Sequence, residues 1–182
     1  MARPATIRTF EVELSDVDAG AYDSISLRVA QHPSESEAYL VRRIIARALH
    51  HGEGADFSKS GLCDGEEAAV QAFDLTGVQT LWVDIGQPSA ERLHRAQKKV
   101  PKVAVYSGRR AEALAQTLAQ AKIHRVEELE LYELPDRPVD ELAETLARSN
   151  AWSIVRSENC LYITAGEISV SFDLRRLPIG LS

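Results

Sequence analysis

The segment "TLWVDI", residues 80–85, places the strongest limit on what this chain can fold into. Leu81, Val83 and Ile85 fall on one side of a strand and Trp82 on the other, so the strand is apolar on both faces. Asp84 shares the second face with Trp82. A carboxylate near the end of a strand buried on both sides is costly unless it is paired, hydrogen-bonded or bound to a cation. Asp84 is therefore the first candidate functional residue, and its partner is the first question.

Around that strand the chain alternates between the periods of strands and helices. "ATIRTFEVEL" and "SISLRVAQH" alternate apolar and polar residues on either side of "SDVDAGAYD" and read as a hairpin with a long loop. "PSESEAYLVRRIIARALHH" carries an apolar stripe at 40, 41, 44, 45, 48 and 49, with Ser34 and Glu37 spaced as a capping box. A polar connection follows, with a short extended piece at residues 56–59. After the central strand come a basic helix in "SAERLHRAQKK", a strand in "KVAVYS", a helix in "RRAEALAQTLAQAK", a strand in "VEELELYEL" and a helix in "VDELAETLARS". Strands broken at "SEN" and "AGE" close the chain. Helix and strand alternation in the middle with strands at both ends predicts an α/β chain of α+β type, a mixed sheet with flanking helices, to whose sheet the first and last segments both contribute.

Length and charge narrow the function classes. The 182 residues, 45% hydrophobic and 26% charged, predict a single domain over residues 1–182. No apolar run approaches the roughly 18 residues of a membrane span, and the start lacks an apolar signal core, so no membrane contact and a cytoplasmic location are expected. Cys63 and Cys160 have no second Cys or His at metal-ligand spacing and read as reduced thiols; "HH" at 50 and 51 is not a zinc motif. A net charge of −6 excludes nucleic-acid binding by overall charge and leaves only a local basic patch.

"HPSESE" before a helix, "FSKSG", and "DLTG" followed by "LWVDIGQP" and a basic helix resemble, in this order, the YaeQ family of bacterial proteins. The similarity runs over the whole chain, and its most specific part is "LWVDIGQP". It implies a variant of the PD-(D/E)XK nuclease fold, with a core of helix, strands and helix and acidic residues that could hold Mg²⁺ or Mn²⁺. Such a fold does not by itself imply cleavage.

Phosphodiester hydrolysis needs a hard cation on oxygen ligands, an activated water and positive charge near the developing phosphorane. Asp84 fits the second acid of the superfamily pattern, but Gly86 stands where its Lys belongs. Gln87 follows directly and suits a ligand or water-orienting role. The missing charge could come from the next helix, through Lys98. The first acid stays open. If Thr76 and Gly77 form a two-residue turn, Asp84 faces Ala69 with Glu67 diagonal to it, while Asp74 points to the opposite face roughly 17 Å away. A bulge or longer loop reverses that parity and brings in Asp74, which the superfamily spacing favours. Glu35 is the acid that the first helix of this superfamily lends to the site. Arg92, Arg95, Lys99 and Lys59 are the candidate phosphate contacts.

Each residue also has a plain structural role to weigh against these. Asp74 suits a turn whose backbone it bonds, Glu67 a solvated surface, Glu35 the helix dipole, Gln87 a strand end, Lys59 the open surface, and the basic run a solvated helical face. For Asp84 such a role needs a buried partner, and Arg43 of the first helix is the natural one. Two functions follow. One is a Mg²⁺- or Mn²⁺-dependent nuclease, with Asp84 and either Glu67 or Asp74 as ligands; the other is a non-catalytic descendant that binds DNA, RNA or a protein partner through the basic helix.

Overall fold

The computed structural model describes residues 4–59 and 65–180, so Cys63 lies outside the described residues. In chain order the elements are β1 (Thr6–Asp16), β2 (Ala21–Gln31), α1 (Glu37–Leu49), β3 (Asp56–Phe57), β4 (Val70–Phe73), β5 (Gln79–Ile85), α2 (Ala90–Lys99), β6 (Lys102–Ser107), α3 (Ala111–Gln120), β7 (Glu130–Glu133), α4 (Asp136–Ala143), β8 (Ser149–Ser157), β9 (Cys160–Ala165), β10 (Ile168–Asp173) and β11 (Arg175–Leu177). They form two compact units, Met1–Ala48 with Pro135–Leu174, and Leu49–Leu134 with Arg175–Ser182. The architecture is mixed α+β.

The first unit holds a five-stranded sheet in the order β10-β9-β8-β1-β2, in which β1 and β8 run parallel and the other neighbours antiparallel. The first two strands and β8 to β10 thus meet in one sheet, as the alternation predicts, but the chain forms two sheets and not the single one expected. Phe10, Val12 and Leu14 of β1 and Ile25, Leu27 and Val29 of β2 are buried, while the residues between them face outward. Phe10 meets Trp152 of β8 edge to face at 5.3 Å. The hairpin loop is shorter than the sequence suggests, because the ladder continues to Asp16 and Ala21.

Two helix boundaries differ from expectation. Glu35 donates its N–H to the His32 carbonyl and Ser34 Oγ bonds the His32 ring, so the chain turns at 32–35 and the helix begins later. Ser36, not Ser34, caps α1, its Oγ accepting from the Tyr39 N–H at 3.1 Å. Glu35 therefore precedes the helix. Helix α4 starts three residues earlier than the apolar stripe suggests. Pro138 sits in its first turn, where a missing N–H costs little, and strand β8 takes over from Ser149.

The second unit holds a six-stranded sheet in the order β11-β7-β6-β5-β4-β3. β5, β6 and β7 are parallel, β3 and β4 add antiparallel on one side, and β11 closes the other. The last strand thus joins this sheet rather than that of the first unit. Leu81 to Ile85 of β5 are all buried, as a strand apolar on both faces requires. Trp82, Val103, Val105 and Leu131 form a core with Leu93 and Ala96 of α2 and Leu114 and Leu118 of α3. Among the described residues no helix is long and apolar enough to cross a membrane.

Candidate functional site

Asp84 sits one residue before the end of β5, with only 4% of its surface exposed. Two residues on, Gly86 turns the chain at φ +88, its N–H donating to the Tyr106 carbonyl. Gln87 then donates from Nε2 to Ser107 Oγ at 2.6 Å, which ties this loop to the end of β6. Ser89 caps α2 by accepting from the Arg92 N–H at 3.2 Å. This cap places Arg92 in the first turn, where its side chain reaches back over the strand it has just left.

Arg92 answers the question that Asp84 poses. Its Nε and Nη2 donate to the two carboxylate oxygens of Asp84, each at 2.8 Å, in the bidentate fork that suits a guanidinium to a carboxylate. Nη2 also donates to the Glu67 carbonyl at 2.6 Å, and Nη1 to the Gly65 carbonyl. The guanidinium lies 5.0 Å from the centre of the Trp82 ring, a cation–π contact. Sequence reasoning gave Asp84 a different counterion, Arg43. That arginine is buried against Glu35, with its Nη1 at 3.0 and 3.1 Å from the two carboxylate oxygens.

The structure brings some of the candidates together and separates others. Glu67 reaches the Asp84 cluster through its backbone carbonyl. The ladder runs Val70 to Val83 and Gln71 to Trp82, the register expected from a two-residue turn. The connection is nonetheless longer: Asp74 N–H bonds the Val78 carbonyl, and the register shifts between Ala72 and Phe73. Because the irregularity lies at the turn end, the pairing nearer Asp84 keeps its parity. Asp74 belongs to the turn, Oδ1 accepting from the Thr76 hydroxyl and from the N–H groups of Thr76 and Val78. The Thr76 hydroxyl and these backbone donors hold its carboxyl below the usual range. Asp74 and Asp84 stand at opposite ends of β5, too far apart to share one ion.

Glu35 lies in the first unit, where its Oε2 also accepts from the His32 N–H. Burial pushes its carboxyl above the usual range, against the pull of Arg43. Arg95, Lys98 and Lys99 form an exposed basic stripe on α2, and Arg95 contacts Glu66 at 3.5 Å. Lys59 is exposed at the edge of the described residues. A cavity of only about 20 Å³, room for one water, opens between Trp82, Arg92, Arg95 and Lys99. Among the described residues Arg95, Lys98 and Lys99 thus present a basic surface.

A hard cation does not fit this arrangement. It needs carboxylate oxygens at about 2.0–2.6 Å, and both oxygens of Asp84 are engaged by one guanidinium. Among the described residues no group of three or more His, Cys, Asp or Glu side chains is placed to hold a metal ion. Cys160 is a free, half-buried thiol.

One polar chain escaped sequence reasoning. Buried His50 bonds Glu53 through Nδ1 at 2.9 Å and the Tyr106 hydroxyl through Nε2 at 3.1 Å. Lys102 donates to the same Glu53 oxygen at 2.6 Å, and Tyr106 stacks on Tyr132. The spacing of His50 and Glu53, three residues apart after a helix, was the available signal; Tyr106 and Lys102 come from a strand remote in sequence.

The YaeQ protein family model matches residues 1–174. The chain belongs to the YaeQ family. It is 29% identical to YaeQ of Escherichia coli strain K12 over 184 aligned positions, covering all of this chain and 97% of that one. The crystal structure of YaeQ from Pseudomonas syringae superposes with a TM-score of 0.86 at 27% identity, over 97% of both chains. That of YaeQ from Xanthomonas axonopodis pv. citri gives 0.87 at 29% identity, over 96% of this chain and 99% of the other.

Proposed function

We propose that this YaeQ-family chain is a non-catalytic relative of the PD-(D/E)XK nucleases that binds the phosphate backbone of DNA or RNA through α2. The order α1, β3, β4, β5, α2, β6 supports the kinship, with β4 antiparallel to both β3 and β5 and with β5 parallel to β6. The observation that carries the non-catalytic reading is the fork of Arg92 on Asp84, which occupies the carboxylate a metal would need. Gly86 adds to it. At φ +88 this position disfavours the Lys of the nuclease pattern, although a Cβ there would meet nothing within 4 Å. Arg95, Lys98 and Lys99 remain exposed to meet phosphates, while Arg92 serves the fold.

The runner-up is the Mg²⁺- or Mn²⁺-dependent nuclease, favoured by the survival of an acid at the end of the central strand. In that reading Arg92 releases Asp84 when metal binds. One experiment separates the two: single- and double-stranded DNA and RNA are tested for binding and for cleavage with millimolar Mg²⁺ or Mn²⁺. Salt-dependent binding without cleavage is expected. Metal-dependent cleavage abolished by Asp84→Asn restores the nuclease, and neither binding nor cleavage leaves a protein partner for this surface.

A further inference from the structure

We propose that the outward edge of β2 is a self-association surface on which two copies of this chain pair antiparallel, with Leu27 of each copy on the two-fold axis. The proposal rests on the first unit alone and is independent of the nucleic-acid reading.

Among the described residues β2 is an edge strand of eleven residues, paired along its whole length with β1 and with no other strand. The direction of its backbone groups follows from two bonds. Thr9 N–H donates to the Arg148 carbonyl, so the odd residues of β1 face β8 and the even ones face β2. Through the register Phe10 to Leu27 and Val12 to Ile25, the odd residues of β2 bond β1 and the even ones point outward. Ser24 agrees with this, since its N–H donates to the Asp23 side chain instead of the sheet. Beyond Ser24, the outward groups of Ser26, Arg28 and Ala30 have no backbone partner among the described residues. No Pro, Lys or bulge blunts this edge, the devices by which long edges are kept from pairing.

Register and charge point to a second copy as the occupant. With Leu27 on the axis, Leu27 meets Leu27, Ile25 meets Val29 and Asp23 meets Gln31 on the inner face. Outside, Ser24 meets Ala30 and Ser26 meets Arg28. Centring on Ser26 instead would set Asp23 against Val29, and centring on Arg28 would oppose like charges. Arg28 is exposed and makes no ion pair among the described residues, whereas Ser26 Oγ donates to Glu11 Oε2 at 2.5 Å. The second copy's Arg28 would lie beside Ser26, two strands from Glu11. That is about 10 Å between Cα atoms, a gap that one extended Arg and one Glu side chain close. Symmetry makes this contact twice, and the pairing joins the two five-stranded sheets into one.

Sedimentation equilibrium of the full chain tests the proposal, with the mass of two chains expected at tens of micromolar. Ser26→Pro removes an outward N–H and the Ser26 hydroxyl's bond to Glu11, neither of them part of the β1–β2 ladder, and should give the mass of one chain with an unchanged circular dichroism spectrum. Should that variant not fold, Arg28→Glu decides, with a dissociation constant raised about tenfold or more. Adding Glu11→Arg to Arg28→Glu should restore the dimer. A monomeric wild type, or a dimer indifferent to Arg28→Glu, overturns the interface; weakening without rescue by Glu11→Arg overturns the register.

Discussion

Replacing Arg92 by Ala strips Asp84, only 4% exposed in the intact protein, of its counterion. Removing one partner of a buried ion pair costs about 3–5 kcal/mol. The Arg92 side chain is 21% exposed, so water can partly replace it, which places the expected cost near the lower end, about 3 kcal/mol. The carbonyls of Gly65 and Glu67 lose a donor as well, but solvent reaches them more easily. Asp84→Asn keeps an acceptor and loses the charge, and should cost about 2 kcal/mol. The paired change Arg92→Met with Asp84→Leu removes both charges and should fall within about 1 kcal/mol of the parent, since replacing a buried pair by apolar side chains is often neutral.

Urea unfolding measures these values, with the midpoint shifting at constant slope. The two tryptophans lie in different units, so a Trp152→Phe background lets Trp82 report the second unit alone. A cost below about 1 kcal/mol for Arg92→Ala, or a strongly destabilised double variant, would refute the view that this pair exists to neutralise Asp84.

The remaining expectations are simpler. Freed of Arg92, Asp84 should gain affinity for cations, so millimolar Mn²⁺ should raise the melting temperature of Arg92→Ala while leaving wild type unmoved; equal shifts in both would argue for a metal site elsewhere. Removing Lys98 and then Lys99 should each weaken nucleic-acid binding and reduce the dependence of log K on log salt by about one unit, whatever the sequence bound; a loss confined to one sequence would contradict backbone contact. Gly86→Lys should destabilise by about 1–3 kcal/mol in urea despite the open space, because the strain lies in the backbone. Burial alone would raise the Glu53 carboxyl, but hydrogen bonds from His50 and Lys102 outweigh it and hold it at about 2. A depressed acid contributes stability that is present above its unfolded value of 4.5 and lost as pH falls toward about 2. Glu53→Gln should therefore flatten acid unfolding between those values, by about 1 kcal/mol after allowing for solvent screening, and an unchanged profile would remove the His50 pairing as a source of acid stability.

How much of this was legible depends on the range of each interaction. The buried state of β5 could be read directly, because five consecutive residues carry their own period and no neighbour is needed to infer it. The α2 stripe and the β6 limits followed for the same reason. The start of α1 could not be read, because Ser34 and Ser36 are both good caps, and the choice was made by a turn closing between Glu35 and His32. The Val70 to Val83 register was legible from turn geometry, but the Asp74 turn that delivers it was not, since one bulge offset one longer loop.

The sequence by itself determined that the carboxylate of Asp84 would be buried and would need a partner, that a basic helix would follow it, and that the ends would alternate as strands. Only the tertiary structure decided which arginine answered it. Arg43 and Arg92 are equivalent in charge and reach, and local pattern does not distinguish them. The Ser89 cap and the Gly86 turn aim Arg92 back over its own strand, while Arg43 is taken by Glu35 within the first unit. Pairing of charges is set by where rigid elements put their ends, and that depends on contacts between residues far apart in the chain, which no local window contains.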